Sequence, residues 1–234
     1  MNLSDFREDY QQGSLDRTQL NPDPFGQFES WFRQATGVES QSRWRKISIA
    51  LYKLWSALGN HRPADINAMT LATVDHEGMP STRTVLLKSV DARGFIFYTN
   101  YDSRKGRELA ENPKAALTFF WPELERQVCA AGTVTKLSAE ESAAYFKSRP
   151  RGSQIGAWAS SQSEAIPDRA FLEKKWRELE QKFPQDVPMP PNWGGFILNP
   201  TRIEFWQGRP SRLHDRFSYI RQADGKWKID RLSP

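Results

Sequence analysis

From Met69 onward the chain is written mainly in short apolar runs of period two. MTLATVD, TRTVLLKSV, GFIFYTN, AALTFFW and QVCAAGTVTKL are rich in β-branched and aromatic residues, which predicts strands, and HEGMP and DARG predict hairpin turns between them. Helical spacing interrupts this texture. Ser103 opens SRKGRELAEN, which ends before Pro113; Ser138 opens SAEESAAYFKS, with Glu141 placed for a capping box and Pro150 as the stop. A third amphipathic helix, DRAFLEKKWRELEQKF, starts at Asp168. After PPNWGG the strand pattern returns as GFILNPTRIEFWQG, then as RFSYIRQ and KWKIDRL joined by ADG. Many strands linked by tight turns, with few helices between them, predict an antiparallel barrel rather than a doubly wound parallel sheet.

The N-terminal part reads differently. Residues 1–36 form an acidic, partly helical lead in which NPDPF breaks the chain before a short helix, FESWFRQA. In residues 43–60, Trp44, Ile47, Leu51, Leu54, Trp55 and Leu58 recur at helical spacing, and Gly59 and Asn60 supply a stop. That pattern predicts an amphipathic helix packed on its own domain in preference to one lying on a membrane. The expected organisation is therefore a helical lead over 1–66, carrying this extra helix, and a barrel domain over 67–234.

Composition narrows the chemistry. A chain of 234 residues can bury a proper core, and its net charge of +5 with a pI near 9.3 suits anionic partners without choosing among them. One cysteine, Cys129, excludes an internal disulfide framework and a cysteine-rich metal site, and fits a reducing cytoplasm. No run approaches the roughly 20 apolar residues of a membrane span, so a soluble cytoplasmic protein with no membrane partner is expected. The GxxxxGK[ST], GxGxxG, HExxH and GxSxG patterns are absent, and three scattered histidines argue against a metal site.

Basic residues recur beside hydroxyls and aromatics, in RTVLLK, FYTNYDSRKGR, YFKSRPRGS and FWQGRPSRLHDRF. Arginine forks and hydroxyls are what a phosphate dianion needs. Strand alternation in RTVLLK would put Arg83 and Lys88 on opposite faces, where the two cations diverge. Arg104 and Lys105 stand at a helix start, where the dipole disfavours cations unless an anion is present. Taken singly, each cluster also reads as a solvated strand end or helix terminus. Together they point to a phosphorylated cofactor meeting a phosphorylated substrate.

In order and at fitting spacing, NAMTLATVD, RTVLLK, GFIFYTNYDSRKGRELAENPKAAL, FFWPELERQV, AYFKSRPRGSQIGAWASSQS and IEFWQGRPSRLHDR resemble the pyridoxamine/pyridoxine 5'-phosphate oxidase family from about residue 67 to the C-terminus. The resemblance implies a mainly β protein with flanking helices, a homodimer of split β-barrels with FMN in the subunit interface. Carried over motif by motif, it implies FMN contacts from Arg83, Lys88, Tyr98, Thr99, Arg104, Lys105, Gln127, Gln162, Ser163, Trp206 and Arg216. The substrate phosphate would meet Lys88, Tyr145, Arg149 and Ser153, with Arg212 and His214 over the pyridine ring; His214 and Arg216 would be the catalytic pair. Two departures stand out. Cys129 replaces the family's usual basic residue in ERQVR, and residues 38–66 exceed its usual short link.

The implied reaction oxidises pyridoxamine 5'-phosphate or pyridoxine 5'-phosphate to pyridoxal 5'-phosphate, with oxygen reduced to hydrogen peroxide. Two rivals use the same composition. One is a split-barrel flavin reductase, which needs neither YFKSRPRGS nor RLHDR; the other is a basic nucleic-acid-binding barrel with its aromatics as stacking platforms. The implied oxidase has no nucleic-acid partner.

Overall fold

A computed structural model describes residues 10–36 and 65–234; the helix expected over 43–60 lies outside the described residues. The alternating runs form nine strands: β1 (Ala68–Val74), β2 (Pro80–Leu86), β3 (Ser89–Asp91), β4 (Gly94–Asn100), β5 (Lys114–Trp121), β6 (Arg126–Lys136), β7 (Trp193–Gln207), β8 (Asp215–Arg221) and β9 (Trp227–Leu232). All pair antiparallel in the order β2-β1-β5-β6-β7-β4-β3, with β8 on the C-terminal half of β7 and β9 beyond it. The expected hairpin turns are present, Gly78 and Gly94 taking the positive φ values of 85° and 148°.

The two ends of that path, β2 and β3, are separated in sequence only by Leu87 and Lys88. The sheet must therefore roll until its edges meet at this joint. The Leu87 N–H donates to Asn67 O at 2.8 Å and the Lys88 N–H to Ile96 O at 2.9 Å, which closes the barrel. Inward-facing positions fill it: Leu71, Phe97, Leu117, Phe119, Val128 and Phe205 are fully buried.

Among the described residues five α-helices flank the sheet: α1 (Pro24–Ala35), α2 (Arg104–Glu111), α3 (Ala139–Ser148), α4 (Arg151–Ala159) and α5 (Arg169–Lys182). The stretch NPDPF is a helix start rather than a break, because Asp23 caps Phe25 and Gly26 while Pro24 occupies the first turn, where its missing N–H costs nothing. Phe28 of α1 then meets Phe95 and Phe119 at centroid distances of 5.1 and 4.9 Å, so α1 shares the barrel core. Burial of a ring of this size contributes about 1.5–3 kcal/mol. Ser103, Ser138 and Asp168 cap α2, α3 and α5 as expected, Ser138 and Glu141 forming a capping box.

The sequence pattern does not show α4. Gly152 and Gly156 weaken its helical signal by about 1 kcal/mol each relative to alanine. Both glycines face the Trp176 indole of α5, from which a Cβ at either position would stand 3.4 Å. Pro150 consequently ends α3 and opens α4, making a corner at Arg149.

Candidate active site

A cleft of about 740 Å³ lies between β2, the end of β4, the start of α2 and the α3–α4 corner. It gathers all the residues of RTVLLK, FYTN, SRKGR, YFKSRPRGS and SSQS proposed above for cofactor or substrate. Arg83 and Lys88 both line it, which corrects the expected divergence: β2 ends at Leu86, and the turn into β3 breaks the alternation before Lys88.

One end of the cleft is made by Arg83, Arg104 and Lys105. Lys105 is 7% exposed, yet its ammonium meets only neutral acceptors: Thr99 Oγ1 at 3.1 Å, Ser103 Oγ at 3.3 Å and Gln162 Oε1 at 2.9 Å. Burial, and then the adjacent Arg83, push its pKa down to about 8, against a smaller upward pull from Glu108. Arg83 is held by Glu108 Oε2 at 3.0 Å, by Ser81 Oγ at 2.6 Å and by Thr73 Oγ1. Arg104 reaches Glu108 through Nε at 2.8 Å. Ser163 joins this end from a turn where its φ is 76°. Non-glycine residues held in the left-handed region cluster at binding sites.

Lys88, Tyr145, Arg149 and Ser153 line the same cleft. Tyr98, Tyr145 and Trp193 are near-parallel, Tyr98 to Tyr145 at 3.9 Å and Tyr98 to Trp193 at 5.5 Å. The Arg149 guanidinium lies 4.7 Å over the Trp193 ring, and its Nη1 is buried without a hydrogen-bond partner. Burial lowers the Arg149 pKa, the neighbouring Tyr145 opposing that shift. The half-buried guanidinium lines the cleft without a carboxylate partner among the described residues, and an anion there would offset its desolvation.

Gln127, Trp206, Arg212, His214 and Arg216 do not line this cleft. Three of them form a row on the outer face of the sheet, Gln127 of β6 opposite Trp206 of β7 and Trp206 opposite Arg216 of β8, while their neighbours Val128, Phe205 and Phe217 point inward. His214 stacks obliquely on Trp206 at 4.6 Å, and its Nδ1 accepts from the Arg209 N–H at 3.1 Å. Its pKa is lowered, first by burial and then by Arg212 and Arg216. Arg216 donates to Glu204 at 2.8 Å and to Ser233 O at 2.9 Å. Ser211 and Arg212 both have positive φ, 56° and 61°, so this loop too is held in strained backbone. Tyr10 meets Trp206 edge-on at 5.5 Å. Cys129 shares the outer face, where its thiol lies 3.4 Å from Thr118 Oγ1 and its pKa is raised mainly by burial.

Sequence reasoning missed two residues that shape the cleft. Glu108 is legible only as an i,i+4 partner of Arg104 on α2; nothing in the pattern says that Thr73, Ser81 and Arg83 converge on it. Trp193 sits in PPNWGG, which reads as a strand entry, and only the fold brings it beneath Arg149.

The geometry defines an antiparallel β-barrel with a basic cleft of cofactor size, in which the cations Arg104 and Lys105 and the hydroxyls of Thr99 and Ser163 are of the kind that the phosphate of FMN needs, and Tyr98, Tyr145 and Trp193 offer aromatic faces. Residues 61–183 match the family model described as pyridoxamine 5'-phosphate oxidase, and residues 193–234 match the pyridoxine 5'-phosphate oxidase C-terminal dimerisation region. The pyridoxine/pyridoxamine 5'-phosphate oxidase of Paraburkholderia phymatum is 52% identical over 232 residues, 99% of each chain. That of Cyanothece sp. is 51% identical over 235 residues, covering 100% of this chain and 99% of its own. Among solved structures, PhzG from Burkholderia lata, in complex with tetrahydrophenazine-1-carboxylic acid, is 32% identical with a TM-score of 0.69, covering 84% of this chain and 98% of its own. A pyridoxamine 5'-phosphate oxidase-related, FMN-binding protein from Nostoc punctiforme shares the fold at a TM-score of 0.61 and 19% identity, over 83% of this chain and 100% of its own. The chain belongs to the pyridoxamine 5'-phosphate oxidase family and is an enzyme of that family with FMN as its cofactor. The two oxidases align over essentially its whole length, so the segment 38–66 is no excess relative to them.

Proposed function

We propose that the protein oxidises pyridoxamine 5'-phosphate and pyridoxine 5'-phosphate to pyridoxal 5'-phosphate, with oxygen reduced to hydrogen peroxide and, from the amine, ammonia released after addition of water. The observation that carries this reading is one cleft lined by two cations, the buried Lys105 and the half-buried Arg149, neither of which has a carboxylate partner among the described residues. Two anion seats suit a phosphorylated cofactor and a phosphorylated substrate placed face to face. Bound FMN would supply the two-electron acceptor for the substrate's exocyclic 4-position carbon and return the electrons to oxygen.

The chain's own residues do the rest. Arg104, Lys105, Thr99, Gln162 and Ser163 would anchor the cofactor phosphate, with Arg83 as a fixed charge behind them. Arg149, Lys88, Tyr145 and Ser153 would anchor the substrate phosphate, so that binding at both ends orients the reacting carbon. Gln127, Trp206, Arg212, His214 and Arg216 sit on a different surface, and the match of residues 193–234 to a dimerisation region supports a homodimer in which this surface faces the partner's cleft. There Trp206 and Gln127 would cover the flavin. The lowered pKa of His214 favours its neutral imidazole, and with Nδ1 accepting from the Arg209 N–H the Nε2–H would be left to donate toward the amine or alcohol, while Arg212 and Arg216 hold charge there. A cytoplasmic setting agrees with the lone cysteine.

The 52% likeness to named oxidases over the whole chain favours this substrate class over that of PhzG, which is 32% identical. The test is the visible spectrum of the purified protein, followed without oxygen as pyridoxamine 5'-phosphate is added. Flavin absorbance that bleaches, FMN released on heating and pyridoxal 5'-phosphate as product are expected. FAD in place of FMN, no flavin after reconstitution, or no bleaching with either phosphorylated substrate would refute it.

A further inference from the structure

Behind the cations proposed to hold FMN lies a feature that an anion site should avoid, a buried carboxylate that does not itself line the cleft. Glu108 is 4% exposed, so it has little water to solvate it. It receives hydrogen bonds from Ser81 Oγ at 2.7 and 2.8 Å, from Thr73 Oγ1, from Arg83 Nη2 at 3.0 Å and from Arg104 Nε at 2.8 Å. The hydroxyls act as relays. Thr73 and Ser81 each accept from Arg83 and donate their own O–H to Glu108, which fixes the guanidinium on both sides. Arg104, gripped only through Nε, keeps its two Nη groups without a protein acceptor among the described residues.

We propose that Glu108 is the positioning residue of the cofactor-phosphate seat, setting Arg83 and Arg104 for a dianion that neither its own charge nor its own oxygens touch. Three cations, Arg83, Arg104 and Lys105, converge here against this one carboxylate, leaving a net charge of +2 that matches a phosphate dianion. Without Glu108 the cations would repel one another and the arginines would lose the acceptor that aims them. Its low pKa, about 2, agrees: burial raises it, but the hydrogen bonds from Thr73, Ser81, Arg104 and Arg83 together outweigh that effect and keep it ionised. The inference rests on the FMN seat proposed above and adds to it a residue that touches no ligand.

The experiment compares FMN with riboflavin, which lacks the phosphate, by fluorescence titration of apo-protein. Glu108→Gln keeps the shape but removes the charge, and it should weaken FMN by roughly tenfold, about 1.4 kcal/mol, while riboflavin changes less than about twofold. Ser81→Ala, on the partly exposed β2, should weaken FMN in the same direction by less, and it reports on the relay even where Glu108→Gln does not fold. Equal losses for the two flavins would make Glu108 a fold support only. Tighter FMN binding in Glu108→Gln would make it a competitor for the arginines. Either result overturns the proposal, whereas a wild-type protein that binds riboflavin as well as FMN would sink the phosphate seat itself.

Discussion

Arg149→Ala separates the two phosphate seats most cleanly. In the present geometry the Arg149 guanidinium lies on Trp193 at 4.7 Å and near Phe146 at 5.7 Å, with Nη1 buried and unpartnered. Its removal therefore breaks no internal hydrogen bond to that nitrogen and relieves a desolvated charge, so the fold should lose little beyond the packing of the side-chain stem. A bound substrate phosphate, by contrast, would lose a charge-assisted contact of roughly 1.5–3 kcal/mol, equivalent to about a 10- to 150-fold loss. The assay is kcat/KM for pyridoxamine 5'-phosphate and for unphosphorylated pyridoxamine, in wild type and variant, combined as a cycle. The phosphorylated substrate should carry nearly all of the loss, and FMN content should not change. Equal losses for both substrates, or a drop in FMN content that accounts for them, would refute the assignment of Arg149 to the substrate phosphate.

Three further outcomes are expected. Lys105 has a pKa of about 8 folded and 10.5 unfolded, so between those values the unfolded chain binds more protons; apo-protein stability should rise with pH across that window, while FMN affinity should fall as pH climbs through about 8, and Lys105→Met should flatten both trends in denaturation and titration series. Mixed dimers refolded from Lys105→Met and His214→Ala chains should recover activity that neither parent has, because one composite site is then intact; no recovery would argue against shared sites. Gly94→Ala should lower the melting temperature sharply, since φ is 148° and a Cβ there would stand 1.9 Å from Leu198 O, a combination of strain and overpacking costing roughly 2–5 kcal/mol.

The sequence by itself determined the local elements and the chemistry they carry. Period-two runs, hairpin turns and capping serines are short-range signals, and each of β1, β4, β5 and β6 and the caps of α2, α3 and α5 stands where those signals put it. The motifs likewise named the cleft residues, because charged and hydroxyl groups at fixed spacing are visible without a fold. Long-range geometry was not legible. Closure of the sheet at Leu87 and Lys88 swung Lys88 into the same cleft as Arg83, against the alternation of an uninterrupted strand. The glycines of α4 concealed a helix that packs against Trp176, twenty residues beyond Gly156. Glu108 became the hub of the cofactor end only when β1, β2 and α2 met, and Gln127, Trp206 and Arg216 became one row only through strand register. Propensity acts over a few residues, whereas side-chain convergence depends on which strands pair and on how far the sheet must roll to close.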